Sequence, residues 1–129
     1  MLQIGIVFVQ FVEETNPPKE KYCIIVGLSG DNVASVVINS GININYLPPT
    51  LQSIHMPLTT QQCPFLDHNS FADCSLLIED NKTAVNNLLQ TQSWRIKGQL
   101  NTTLRDKICE MVKRSKAISV TQKRRFGIV

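Results

Sequence analysis

No apolar run in this chain approaches the ~20 residues that a membrane-spanning helix needs, so no membrane partner is expected. The four cysteines, at 23, 63, 74 and 109, form no CxxC pair. They are read as mostly reduced thiols, which fits a cytoplasmic protein. No basic residue precedes the short apolar run Ile4 to Val12, so a secretory signal is not expected either. There is no internal repeat and no low-complexity segment. Charge is scarce, at 18% of residues, which leaves room for a buried partner face. No cofactor and no metal is called for.

What is present suffices for one packed domain: 129 residues, 43% of them hydrophobic. The net charge of +3 hides a strong asymmetry. Residues 1–93 carry Lys19, Lys21 and Lys82 against eight acids, a balance of −5; residues 94–129 carry ten Lys or Arg against Asp106 and Glu110, a balance of +8. A basic end can contact phosphates; it can equally be a solvated helix face with a frayed tail.

Along the chain, Met1 to Val12 is rich in Val, Ile and Phe and predicts a strand. Glu13 to Lys21 contains Pro17-Pro18 and must be a loop. Tyr22 to Leu28 reads as a second strand, Ser29-Gly30-Asp31-Asn32 as a hairpin turn, and Val33 to Ser40 as a third strand. In that strand Ala34, Val36, Ile38 and Ser40 make the better core face. Gly41 to Thr50 is irregular. Leu51 to Leu58 predicts a fourth strand, placed at an edge by Pro57. Phe71 to Ile78 predicts a fifth. Asp80 to Thr83 then starts a helix with Val85, Leu88 and Leu89 at helical spacing, and Ser93 to Leu100 is a short extended piece or turn. Asn101 to Ser115 predicts the main helix, capped by Asn101 or Thr102, with Leu104, Ile108, Met111 and Val112 on one stripe. The segment after Ser119 has no clear register. The division is therefore a domain over 1–119 and a basic tail over 120–129. The fold class expected is mainly β: a small barrel or curled sheet closed by a C-terminal α-helix, with one further short helix.

Chemistry concentrates in Cys63 to Asp80. This stretch holds two of the four cysteines, one of the two histidines and four of the ten acids. Its polar groups precede or sit in a strand, where folds commonly place function. Cys63, His68 and Cys74, with Asp67 or Asp73, make a zinc set on paper, but without the short cysteine spacing of zinc knuckles. Cys74, inside a strand, reads as a small buried hydrophobe rather than a nucleophile. Asp73 either points inward and requires donors, or outward as a solvated charge. Trp94, Arg95 and Lys97 suit a single nucleic-acid strand, since an aromatic face beside cations favours stacked bases; Trp94 packing on the final helix is the plainer reading. Lys19 joins them as a candidate phosphate contact.

The order of elements resembles the PemK/MazF family of toxin–antitoxin systems, which are SH3-like barrels. The resemblance runs roughly from Ile4 to Ile118. GIVFVQF is similar to that family's opening strand, PKEKYCIIVGLS to its loop and second strand, VVINS to its third, and FADCSLLIED to its strand around Cys-Asp. SWRIKGQLNTTLRDKICEMV resembles its closing Gly-Leu step and last helix. Where the family has Arg-Pro this chain has Lys21-Tyr22, and where it has Thr-Ser this chain has Asn39-Ser40. Aligning on Cys74 places Asp73 at the family's arginine and Ser75 at its aspartate; aligning on Asp73 places Phe71 at the arginine. Either way that arginine is lost.

The resemblance implies metal-independent cleavage of single-stranded RNA, in which the ribose 2′-OH attacks the neighbouring phosphate. Such a reaction requires a base, an acid and a cation. The residues that carry over are Asp73 or His68 as base, His68 as acid and Lys21 as cation, with Ser40 and Ser75 beside them. Lysine supplies charge without the planar fork of arginine. The implied partners are single-stranded RNA, an antitoxin-like protein and a second copy in a homodimer. The alternative, from another class, is a non-catalytic module that uses the same barrel to hold a protein.

Overall fold

A computed structural model describes residues 2–41 and 48–128. Six strands form one antiparallel sheet: β1 (Ile6–Val12), β2 (Lys19–Ser29), β3 (Asn32–Asn39), β4 (His55–Leu58), β5 (Ser70–Asn81) and β6 (Ile96–Gln99). Their order across the sheet is β4-β5-β3-β2-β1-β6, and the sheet curls into a half-barrel. Four helices accompany it: α1 (Pro49–Gln52), α2 (Lys82–Thr91), α3 (Thr102–Arg114) and α4 (Val120–Arg125).

The turn between β2 and β3 falls where Ser29-Gly30-Asp31-Asn32 predicts it, and Gly30 takes φ +47 there, a conformation open mainly to glycine. Asn81 caps α2 by accepting from the Ala84 N–H, and Asn101 caps α3 by accepting from the Leu104 N–H. The stripe on α3 is the expected one: Leu104, Ile108 and Val112 are buried.

The central strands are apolar on both sides, and both sides are used. Val7, Ile24, Val26, Ala34, Val36 and Ile38 face α3, joined by Cys63, Leu66, Cys74, Ile118 and Phe126. Phe8, Val12, Cys23, Ile25, Val33 and Val37 make a second core with Leu2 and with Val85 and Leu89 of α2. The side of β3 set aside as the poorer face thus packs as well, because α2 covers it. A strand buried on both faces reads as a continuous apolar run rather than an alternation.

Three other expectations shift. The run Leu51 to Leu58 splits: Pro49 starts the single turn α1, as proline at a first helical position does, and only His55–Leu58 pairs as a strand. Pro57 does lie on an edge strand. Ile96–Gln99 is a sixth strand, paired with β1. The segment after Ser119, expected to lack register, forms α4 with Ser119 as its cap, and Phe126 behind it is buried against Gly27. Most of the irregular stretch Gly41 to Thr50 lies outside the described residues.

The sheet's two end strands, β4 and β6, are bridged by side chains. The connection between β4 and β5 carries Phe65, whose ring packs so tightly on β6 that a Cβ at Gly98 would lie 2.8 Å from Phe65 Cδ2. Tyr22 meets the same ring, centroids 6.4 Å apart. This packing leaves one end of the curl lined by polar groups. No helix among the described residues is long and apolar enough to cross a membrane.

Candidate functional site

The open end of the sheet gathers four of the marked residues, Lys19, Lys21, Ser40 and His68, into a cleft of about 260 Å³, lined also by Tyr22 and Asp67 among others. Tyr22 carries this surface outward. Lys97 Nζ lies 6.0 Å from the Tyr22 ring centroid and 5.6 Å from that of Trp94. Arg95 Cζ sits 4.5 Å from the Trp94 centroid. Trp94 does not pack on the final helix: it is 59% exposed, while the Arg95 side chain is only 13% exposed. The guanidinium therefore lies under the indole on its protein side. It is pinned there by Glu20 at 3.0 Å, by the Val9 carbonyl at 3.1 Å and by Gln92 at 2.7 Å. A fixed cation beneath an exposed ring presets the ring's orientation.

Asp73 lies elsewhere. It opens a bulge in β5: Val37 pairs with Asp73 and Ser35 with Ile78, so the four residues 74–77 stand opposite Val36 alone. The Asp73 carboxylate holds this bulge. Its Oδ1 accepts the Ser75 N–H at 2.9 Å and also the Ser75 hydroxyl. Inside the bulge, the Cys74 N–H reaches the Ile54 carbonyl at 3.0 Å. His55, directly opposite on β4, turns Nε2 toward Asp73 Oδ1 at 3.4 Å and bonds the Leu51 carbonyl through Nδ1 at 2.6 Å. A carbonyl only accepts, so Nδ1 carries a proton. The order is Ser–Asp–His, with the carboxylate in the middle. A serine nucleophile instead requires the imidazole next to its hydroxyl. The arrangement satisfies the Ser75 N–H and hydroxyl through Asp73 and leaves no activated nucleophile.

No family model matches this chain, and no curated protein matches it.

Lys21 links the two regions. It lines the open-end cleft and also a second one, of about 270 Å³, which it shares with Lys19, Asn39 and Asp73. Its ammonium donates to Asn39 Oδ1 at 2.6 Å. Burial, and then the neighbouring Lys19 charge, pull its pKa below the usual lysine value. Ser40 and His68 belong to the first cleft, Asp73 to the second. The expected catalytic set is thus divided: Lys21 stands with Ser40 and His68 on one side and with Asp73 on the other, and Ser75 is bound to Asp73.

The zinc set is not formed. Cys63 and Cys74 are buried in the core while His68 is exposed, and among the described residues no three His, Cys, Asp or Glu side chains converge. All four thiols are free. Burial pushes the Cys74 thiol up to about 12, so it is inert at neutral pH. A larger groove, of about 600 Å³, runs between α3 and β4 over Ile54, Met56 and Met111. It holds none of the candidate residues, and its Arg114 and Glu110 are paired with each other. Size alone does not make it the site.

His55 is the residue the sequence reading passed over. It had one available signal: only two histidines occur in the chain, and it precedes an edge proline. Nothing local tied it to Asp73, since the pairing spans 18 positions.

Proposed function

We propose that this chain is an RNA-directed protein that holds single-stranded RNA at the open end of its sheet, binding the strand rather than cutting it. The observation that carries the proposal is the continuous surface from Trp94 through Lys97 and Tyr22 to the cleft of Lys19, Ser40 and His68. An exposed indole backed by a fixed guanidinium offers a base a stacking face, and such contacts contribute about 1–3 kcal/mol per base. Lys97 and Lys19 stand where a following phosphate would lie, and unpaired bases are what single strands present. An SH3-like barrel of PemK/MazF type, with its homodimer and antitoxin-like partner, belongs to the same proposal. Binding is favoured over cleavage because Asp73 Oδ1 is engaged by Ser75 and His55, and because His68 lines the other cleft.

Trp94 is the only tryptophan, so its fluorescence reads the site directly. Titration with single-stranded RNA oligonucleotides is expected to quench it at low salt, with binding weakening as salt rises. The same RNAs incubated with the protein in EDTA should stay intact, with no cyclic-phosphate ends. Absence of quenching across a broad panel of RNA sequences would end the proposal, and cyclic-phosphate products would replace binding with catalysis.

A further inference from the structure

The basic charge of the chain is concentrated in its last elements. Residues 101–129 carry eight Lys or Arg against Asp106 and Glu110, a balance of +6, and the rest of the chain balances at −3. Both acids are already engaged, Asp106 by Arg105 at 3.0 Å and Glu110 by Arg114 at 2.8 Å. That leaves Lys107, Lys113, Lys116 and Arg124 exposed and outside every ion pair of the described residues, the last three of them where α3 meets α4.

These cations sit on a built corner. Lys123 is buried and donates from Nζ to the Lys113 carbonyl at 2.8 Å, tying α4 to the last turn of α3. Gln122 bonds Glu79 at 2.7 Å, and Arg125 pairs with the same carboxylate. Phe126 fills the space above Gly27, where a Cβ would lie 2.8 Å from Phe126 Cβ. A tail kept only for solubility requires none of these contacts. The fold spends a buried lysine, a glutamate and an aromatic ring on holding three free cations in place.

We infer that this α3–α4 corner is a second nucleic-acid surface, one that grips the phosphate backbone without reading bases. Among the described residues no aromatic ring stands against its cations to stack a base, so its ligand is a repeating anion. A lipid surface fits less well: the apolar anchor Phe126 points into the core, and exposed Val120 alone offers little to insert. Because the corner requires only phosphates, it should bind duplex as well as single strands, with the micromolar or weaker affinity usual for non-specific contacts.

The test uses the full chain and a DNA duplex of about 20 base pairs, long enough for several phosphate contacts but presenting no unstacked base to Trp94. Binding measured across a salt series is compared with that of K113Q/K116Q/R124Q. The slope of log affinity against log salt is expected to fall by about 2–3, close to 1 for each phosphate that is no longer neutralised. The charge-keeping variant K113R/K116R should preserve the slope, which separates loss of charge from loss of fold. Trp94 quenching by a single strand of about 8 nucleotides, within one stacking site, should persist in the glutamine variant. An unchanged slope in that variant, or no salt-dependent duplex binding by the parent, overturns the corner. If the duplex result holds and Trp94 quenching is absent from the parent, the open-end proposal fails while the corner stands.

Discussion

The Trp94 surface and the Asp73 bulge both carry the residue types of a working site, yet they treat them in opposite ways. At the bulge, the marked polar groups find their partners inside the protein: Ser75 donates twice to Asp73, and His55 bonds the Leu51 carbonyl and faces Asp73. At the open end Arg95 is fully engaged, but what it supports is an exposed ring flanked by Lys97. Groups that satisfy one another shape the chain; a group held in place and left facing water is available to a ligand. Residue chemistry alone does not separate these cases. Only partner accounting does.

The contrast breaks most sharply at Asp73. Asp73→Ala leaves the Ser75 N–H and hydroxyl without their acceptor, and stability should fall by about 2–3 kcal/mol. For a domain of this size that corresponds to a melting temperature lower by roughly 10 °C. Asp73→Asn keeps an amide oxygen for Ser75 and should lose less. RNA affinity of the folded protein should be unchanged in both. A variant that melts like the parent but no longer binds RNA would exchange the roles of the two regions.

Trp94→Ala is the mirror case. The ring is exposed, so thermal stability should move by less than about 0.5 kcal/mol. Affinity for a short single strand should drop by about 10- to 100-fold, the loss of one stacked base. Since the reporter is removed, binding is followed by anisotropy of a labelled RNA. Equal affinity with and without the indole would reduce the open end to an ordinary surface.

How much of this was legible beforehand follows from which interactions are local. The caps Asn81 and Asn101, the turn at Gly30 and the α3 stripe all act within a few residues, and each falls where its spacing puts it. The second core was not legible, because α2 covers strands 50 residues earlier in the chain. α4 escaped for a related reason. Its six residues show no stripe of their own, and what fixes them is Glu79, Gly27 and the end of α3. At the site, the residue types of Lys21, Ser40, His68 and Asp73 were readable, but their division between two clefts depends on which side of the sheet each one faces. A bulge that inserts three extra residues beside Val36 resets that register, and no spacing rule announces it.

The smallest effect tests the link between the regions. Lys21 is half-buried, and its pKa is lowered first by that burial and then by Lys19, with Cys23 and Asp73 acting the other way. The folded protein therefore releases this proton at a lower pH than the unfolded chain does. Between those two pKa values the unfolded state binds more protons, so Lys21's contribution to stability rises with pH up to about 10.5. Cys23 and Cys74 oppose this trend. Burial raises both thiols from 9.0 to about 12, so the stability they confer is complete below pH 9 and is lost as pH climbs toward 12. The parent alone should thus lose stability in alkali. The Lys21 contribution emerges as the difference between the parent and Lys21→Met, since the thiols are common to both. That difference should grow in the parent's favour as pH rises toward 10.5, and denaturant midpoints at several alkaline pH values measure it. A difference that stays flat would mean that Lys21 is as well solvated as a free lysine, and that the bulge and the open end share no ionisable group.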